Sequence, residues 1–183
     1  SDIAMGVMAN PFYVDIGFTK EQVANISKIY GVLTSMLGAL LGGVLVFRIG
    51  AARLLAPSVF LLAASNLTFA WLAYVGKPDA LMLTAAISID NLAGGVAGTV
   101  FIAFLSGLTN TAYTATQYAL FSSVMLLLPK WIAGFSGRFV DAFGYSEFFT
   151  STALLGIPVL LLVWLASRIP VVRVGNRTTR LPD

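Results

Sequence analysis

An aspartate in the middle of a long apolar stretch is the chemically distinctive feature of this chain. Asp90, followed by Asn91, comes about ten residues into the apolar run 81–105, so a helix there would carry its carboxylate about 15 Å below one surface of a bilayer. Asp2 is expected at a similar depth in the first apolar segment. A buried charge costs at least ~2.5–3.5 kcal/mol in hydrocarbon and normally faces water or a partner. Asp90 and Asp2 are therefore candidate proton-binding groups, with a structural hydrogen bond or salt bridge as the alternative.

The composition requires a membrane protein. Hydrophobic residues make up 58% of the 183 residues and charged residues only 10%, where a soluble domain carries about a quarter charged residues. The chain has no cysteine and no histidine, which excludes disulfides, thiolate or imidazole metal sites and histidine-based catalysis. We predict no cofactor, no metal and no enzymatic activity. The net charge of +3 comes from a basic tail and does not indicate nucleic-acid binding.

Apolar runs predict an all-α, polytopic transmembrane bundle. A partial span at 3–14 precedes five full spans at 23–47, 54–75, 81–105, 113–135 and 148–166. We expect polar linkers between them, at 48–53 and 136–147 among others. The division is a six-helix membrane unit over 1–169, with its first helix truncated, and a basic tail over 170–183. The positive-inside rule places Arg48, Arg53 and the C-terminus on the cytoplasmic side.

The distribution of charged residues and of small residues differs between the spans. Charges occur in the first, second, fourth and fifth spans and not in the third and sixth, as two three-helix repeats would give if each third helix faced lipid. Small residues every four positions along the second span predict a close helix contact: Gly31, Ser35, Ala39 and Gly43, with Gly38 and Gly42 beside them. Gly94, Gly95 and Gly98 indicate either a contact or a flexible point.

Two sets of residues resemble known transporters. Gly43, Arg48, Gly50 and the trailing Arg53 match the cytoplasmic loop motif of the major facilitator superfamily, although Phe47 stands where the motif has aspartate. A longer series resembles the C-terminal half of the AmpG family of muropeptide permeases. It comprises residues 17–25 with Lys28, then 38–43, 90–95 with 101–106, 114–120, 134–137 and 140–145.

The resemblance implies a proton-coupled symporter of cell-wall recycling in the bacterial inner membrane. Such a permease moves N-acetylglucosamine–anhydro-N-acetylmuramyl peptides from periplasm to cytoplasm. This chain would supply about helices seven to twelve of a 3+3 repeat fold, and a missing six-helix half would complete the cavity. Its partners would be the lipid bilayer, protons and the sugar-peptide.

Four residues are candidates for substrate contact. Lys28 would attract a carboxylate of the substrate, pair with Asp2 or Asp90, or extend to the lipid headgroups. Asn91, Gln117 and Tyr118 have donors and acceptors suited to sugar hydroxyls. Gln117 and Tyr118 are expected near the cytoplasmic end, where hydrogen bonds between helices are the alternative. Two other functions stay open: a permease for another bulky solute such as a siderophore or an acyl-CoA, and a non-transporting half-bundle. A membrane-embedded enzyme is the rival from another class, and the lack of histidine, cysteine and a paired acidic cluster argues against it.

Overall fold

Helices form every regular element in the described part of the chain. The computed structural model describes residues 2–108, 114–158, 160, 161 and 165, and the predicted tail at 170–183 lies outside them. The order is α1 (Asp2–Ile16), α2 (Lys20–Ile26), a π-helical turn (Ser27–Gly31), α3 (Val32–Ile49), α4 (Ala51–Val75), α5 (Ala80–Leu108), α6 (Thr114–Ala133), α7 (Ser136–Phe143) and α8 (Tyr145–Leu154).

Three helices are long and apolar enough to cross a membrane, judged by length and composition. They are Lys20–Ile49, Ala51–Val75 and Ala80–Gly107, and they coincide with the runs predicted at 23–47, 54–75 and 81–105. The first is continuous through α2, the π-turn and α3. The predicted all-α, polytopic fold is confirmed, with each helix extending a few residues beyond its apolar run.

Two predicted linkers are wrong. The segment 48–53 is helical on both sides of Gly50, whose φ of 93° is the left-handed conformation that only glycine adopts readily. The segment 136–147 contains α7, and Gly144, with a φ of 88°, separates it from α8. Charged residues suggested loops in both places, yet exposed charges such as Arg48 and Arg53 are compatible with helix ends.

The backbones of α3 and α5 touch. A Cβ atom added at Gly38 would overlap the carbonyl of Leu92, and one added at Gly95 would overlap the carbonyl of Ser35. At Gly42 the added atom would lie 3.1 Å from Val96. The predicted small-residue contact is therefore correct in kind. Gly43 was wrongly included, because nothing lies within 4 Å of an added Cβ there, and the same holds for Gly94 and Gly98.

Helix α4 packs between α5 and α8. At Gly156, two residues after α8, an added Cβ would overlap the side chain of Ala63, so α4 also approaches the chain closely there. An aromatic core fills the space beside them, with Phe12 of α1 edge-on to Phe149 at 4.8 Å between ring centroids and Phe69 at 5.8 Å from Phe149. All three rings are buried.

The third span only partly fits the prediction that it faces lipid. One stripe of α4 is exposed and apolar, and it comprises Phe60, Leu61, Leu67, Trp71 and Tyr74. The opposite side is buried and includes Ser58, Ser65 and Asn66. The absence of charge in this span therefore reflects burial inside the bundle as well as contact with lipid.

A hydrogen bond joins α1 to the start of α8 at the end of the bundle that holds Gly17, Gly76 and Gly144. The Tyr145 hydroxyl donates to the Asp15 carboxylate at 2.5 Å. Tyr145 precedes the predicted span at 148–166. Burial raises the pKa of the Tyr145 phenol above its ordinary value, and the hydrogen bond to Asp15 raises it further.

We expect Gly38→Ala and Gly95→Ala to destabilise the bundle by ~1–3 kcal/mol each, because a methyl group must displace a facing backbone. The measurement is the free energy of unfolding in detergent. Gly43→Ala is the matched control on the same helix, and it should be neutral or stabilise by up to ~1 kcal/mol. Equal losses at Gly38 and Gly43 would contradict the contact.

The Tyr145 pair predicts a loss of stability in alkali. The pKa of tyrosine in an unfolded chain is ~10, and the pKa of Tyr145 in the folded protein is higher. The contribution of Tyr145 to the free energy of unfolding is therefore complete below pH ~10 and declines as the pH rises toward the raised pKa. The free energy of unfolding should therefore fall less steeply above pH ~10 in Tyr145→Phe than in the unaltered chain. Parallel curves for the two proteins would rule the assignment out.

Candidate functional site

Asp90 lies within α5 at the contact with α4. The Ser65 hydroxyl donates to Asp90 Oδ1 at 2.8 Å, which links the two helices. The same hydroxyl lies 2.7 Å from the Leu62 carbonyl oxygen of its own helix. Ser65 is 2% exposed and Asp90 is half-buried, so the carboxylate has lost part of its hydration.

This geometry suits both protonation states of Asp90. When the carboxylate is ionised, the Ser65 hydroxyl donates to it. When it is protonated, the acid can donate to Ser65 Oγ while the serine donates its own proton to Leu62. A hydroxyl with two acceptors within reach therefore keeps a hydrogen bond in either state, which limits the cost of moving a proton onto or off Asp90.

Tyr13 brings a third helix to the carboxylate. Its side chain is 6% exposed within α1, and its phenol interacts electrostatically with Asp90. The ring also packs near Phe69 of α4, at 6.3 Å between centroids. Asp90 thus lies where α1, α4 and α5 meet.

Asn91 has a different neighbour from Asp90. Its Nδ2 donates to the Ile87 carbonyl at 2.8 Å, and the amide packs against Gly31, where an added Cβ would lie 3.4 Å from Nδ2. The two adjacent residues therefore serve two interfaces, Asp90 with α4 and Asn91 with the second span. The Asn91 amide thus hydrogen-bonds within its own helix and packs on the second span, and its contact with the substrate stays a prediction.

Lys28 is exposed and lies in the π-helical turn. Such turns add a residue to a helix, and they are common at functional sites. The Thr34 hydroxyl lies 2.7 Å from the Tyr30 carbonyl and 3.2 Å from that of Gly31, so it binds carbonyls at the end of the turn. Lys28 is three residues from Gly31, which packs on Asn91.

The other predicted site residues are Asp2, Gln117 and Tyr118. Gln117 is half-buried on α6, a helix that packs against α1 and α5, and it takes part in an interaction. The side chains of Asp2 and Tyr118 lie outside the described residues. Asp90 and Asn91 lie next to each other on α5. That Asp2, Gln117 and Tyr118 cluster with them stays a prediction.

The loop-motif residues lie at the opposite end of the bundle from Tyr145. Gly50 forms the turn between α3 and α4, and Arg48 and Arg53 are exposed on either side of it. Phe47, at the motif's aspartate position, is 92% exposed. The motif glycine thus has a clear structural role, while the side chain that replaces the aspartate contacts almost nothing within this chain.

Three polar residues near Asp90 escaped the sequence analysis. Ser65 hydrogen-bonds to the carboxylate, the Tyr13 phenol interacts with it electrostatically, and Asn66 is wholly buried with neither amide atom hydrogen-bonded. The missed signal is the spacing of Ser58 and Ser65, seven residues apart on one face of a span otherwise noted only for lacking charge.

The surroundings of Asn66 follow from the register of α4 and α8. Ala63 meets Gly156, and Phe69 meets Phe149, so the helices run antiparallel and Asn66 lies level with Thr152. Thr152 is 2% exposed, and its hydroxyl donates within α8 to the Phe149 carbonyl at 2.8 Å. The amide of Asn66 therefore lies in a tight, largely apolar interface.

Comparison with known proteins finds similarity along most of the chain. It is 32% identical over 171 residues, 93% of its length, to "Putative transporter AmpG 4" of Rickettsia conorii. It is also 32% identical over 162 residues, 88% of its length, to "Putative transporter AmpG 1" of Rickettsia prowazekii. Over 148 residues, 81% of its length, it is 32% identical to the "Anhydromuropeptide permease" of Escherichia coli K12. No family model matches the chain.

The chain spans only part of each relative. It covers 41% of the first protein, 36% of the second and 30% of the third. The similarity therefore concerns a segment of a longer transporter.

We expect Asn66→Leu to stabilise the chain by ~1–3 kcal/mol, because it removes two buried polar atoms that have no partner. The measurement is the free energy of unfolding in detergent. Asn25→Leu, at an exposed position on α2, is the matched control and should change stability little. A marked destabilisation by Asn66→Leu alone would mean that the amide has a polar partner.

Proposed function

This chain belongs to the AmpG family of transporters, and we propose that it forms one half of a permease that imports anhydromuropeptides with protons. The permease would act in bacterial cell-wall recycling. The observation that supports proton coupling is the Ser65–Asp90 hydrogen bond at 2.8 Å, beside the Leu62 carbonyl, which can accept the serine's hydrogen bond when Asp90 is protonated. The similarity to the anhydromuropeptide permease of Escherichia coli supports the choice of substrate.

The proposed mechanism is alternating access with Asp90 as the coupling carboxylate. Protonation removes a charge that is costly at this depth, so the protonated state favours movement of α5 against its neighbours. Ser65 is a positioning residue that accepts or donates according to the charge of Asp90. Asp2 stays a second candidate for the same role.

The substrate is proposed to contact the second, fourth and fifth spans. Lys28 would attract a carboxylate of the sugar-peptide, and Asn91, Gln117 and Tyr118 would bind its polar groups. The exposure of Lys28 supports this role, because a cation on an open helix surface is accessible to a soluble anion.

A second six-helix half is the proposed partner within the membrane. The exposed apolar side of α3 supports it: Met36, Leu40 and Val44 follow one another at helical spacing and are each more than half exposed. Phe47 continues this surface to the Gly50 end. The fraction of each relative that the chain covers agrees with a half-transporter.

The proposed location is the bacterial inner membrane, with the Gly50 end and the C-terminus in the cytoplasm. Arg48 and Arg53 at that end support this orientation under the positive-inside rule. The similarity to permeases and the three long apolar helices show that the protein is a multi-pass membrane protein.

The test is uptake of radiolabelled anhydromuropeptide by vesicles that contain the complete protein and carry an imposed proton gradient. Asp90→Asn should reduce gradient-driven uptake to background, because an amide cannot exchange the proton. Asp141→Asn removes an exposed carboxylate on α7 and should leave uptake unchanged.

Three outcomes would overturn parts of the proposal. Full uptake by Asp90→Asn would remove Asp90 from proton coupling. Absence of uptake by the unaltered protein, with a siderophore or an acyl-CoA transported instead, would identify another bulky solute. Absence of any transport would favour the non-transporting half-bundle.

A further inference from the structure

An apolar groove runs between α4 and α5, next to the short connection at 76–79 that joins them. Helix α4 lines it with Thr68, Trp71 and Leu72, and α5 lines it with apolar residues from Leu81 to Ile89. Its volume is about 180 Å³, below the ~300 Å³ at which sites for whole small molecules begin. The groove therefore suits a slender part of a larger ligand.

One small residue gives the groove its shape. Leu81, Ala85 and Ile89 are exposed and follow one another at four-residue spacing, so they lie on one face of α5. The alanine leaves a dip between two large side chains, and the buried Leu72 and Ala86 form the floor. A larger side chain at position 85 would fill the groove.

The lining of the groove fits a hydrocarbon chain. The Thr68 hydroxyl is used within α4, where it donates to the Ser65 carbonyl at 2.6 Å, and the other lining residues are aliphatic or aromatic. Ile89 lies nine residues after the start of α5, so the groove extends ~13 Å from its mouth. A groove of this length and volume has room for one chain, but not for a helix ~10–12 Å wide.

Two aromatic residues place the mouth of the groove at the membrane surface. Trp71 is 62% exposed and Tyr74 is 82% exposed, and both lie within the last turn or so of α4 before Val75. Exposed tryptophan and tyrosine rings are typical of the level of the lipid headgroups. The deeper part of the groove therefore lies beside the acyl chains of that leaflet.

The connection at 76–79 supplies a cation at the mouth. Lys77 is exposed there. Asp79 is the neighbouring anion, but its Oδ1 accepts hydrogen bonds from the Leu81 and Met82 amides at 2.8 and 3.3 Å. It thus caps α5, where the positive end of the helix favours a carboxylate. Lys77 is left to bind an anionic group such as a phosphate.

We propose that the groove between α4 and α5 binds one acyl chain of a bilayer phospholipid, whose phosphate binds Lys77. This site goes beyond the proposed function and requires neither the muropeptide nor proton coupling. Its deep end adjoins the proton-coupling pair, because Ile89 precedes Asp90 and Thr68 bonds to the Ser65 carbonyl. The bound chain would brace the contact between α4 and α5.

The test is native mass spectrometry of the complete protein, delipidated in detergent and titrated with two lipids. Dioleoylphosphatidylglycerol and dioleoylglycerol have the same chains, and the second lacks the phosphate. One copy of the phospholipid should bind more tightly than all further copies. It should be preferred to dioleoylglycerol by about tenfold, as expected for a charge-assisted hydrogen bond.

Ala85→Leu tests the groove, because the added side chain occupies the place of the acyl chain. It should remove the tight copy of either lipid, and its exposed position leaves the core unchanged. Ala24→Leu is the matched control, since Ala24 is an exposed alanine at a similar depth below the same end of the bundle. Retention of the tight copy in Ala85→Leu would overturn the groove site.

Lys77→Gln tests the headgroup contact without altering the groove. It should abolish the preference for the phospholipid and leave the binding of dioleoylglycerol unchanged. Lys20→Gln is the control, because Lys20 is an exposed lysine at the start of α2, at the same end of the bundle. An equal loss of preference in both variants would indicate general surface charge and overturn the phosphate contact.

A further outcome identifies another occupant of the groove. If the unaltered complete protein binds no copy of either lipid more tightly than the rest, protein covers the groove and the lipid site is wrong. Uptake of anhydromuropeptide is measured separately, so this result leaves the proposed function standing.

Discussion

The contact between the backbones of α3 and α5 determines much of this structure. Hydrophobic burial does not drive helices together in lipid as it does in water, so close packing of small residues supplies much of the attraction. Gly38 and Gly95 allow an approach that any side chain would block. With α5 held there, one of its faces meets the second span and another meets α4, and Asp90 is directed to Ser65. The position of the membrane carboxylate thus depends on glycines one turn or more away from it.

A charged group at this depth needs a partner that tolerates both of its protonation states. Ser65 meets that need because a hydroxyl both donates and accepts. The Leu62 carbonyl oxygen, 2.7 Å away, can accept the serine's hydrogen bond when the carboxylate does not. A lysine or arginine in the same place would hold the ionised form and oppose protonation. A hydroxyl partner such as Ser65 is compatible with the proposed exchange of a proton at Asp90.

The fold could be predicted largely from the sequence because membrane helices are long apolar runs, and Asp90 was conspicuous because it interrupts one. The features that could not be predicted depend on how each helix is rotated about its axis, because this rotation decides which residues face a neighbouring helix. Gly43 and Gly42 are adjacent, yet only Gly42 packs on α5, and the π-turn that shifts this register has no clear signature in the residues. Ser65 and Asn66 were missed because uncharged polar residues are common in membrane helices, and their roles appear only when α5 and α8 are in place. The charges of Arg48 and Arg53 suggested a loop of several residues, but Gly50 alone makes the turn between the two helices.

That single glycine has a mechanical consequence. Gly50 alone connects Ile49 to Ala51, and a chain extends at most ~3.6 Å per residue, so the joined ends of α3 and α4 cannot separate by more than a few ångströms. In the assembled protein, a tilt of α3 pulls directly on the adjoining end of α4, with no slack to absorb it. The turn at Gly50 therefore couples the movement of α3, which has an exposed apolar side, to that of α4, which packs between α5 and α8.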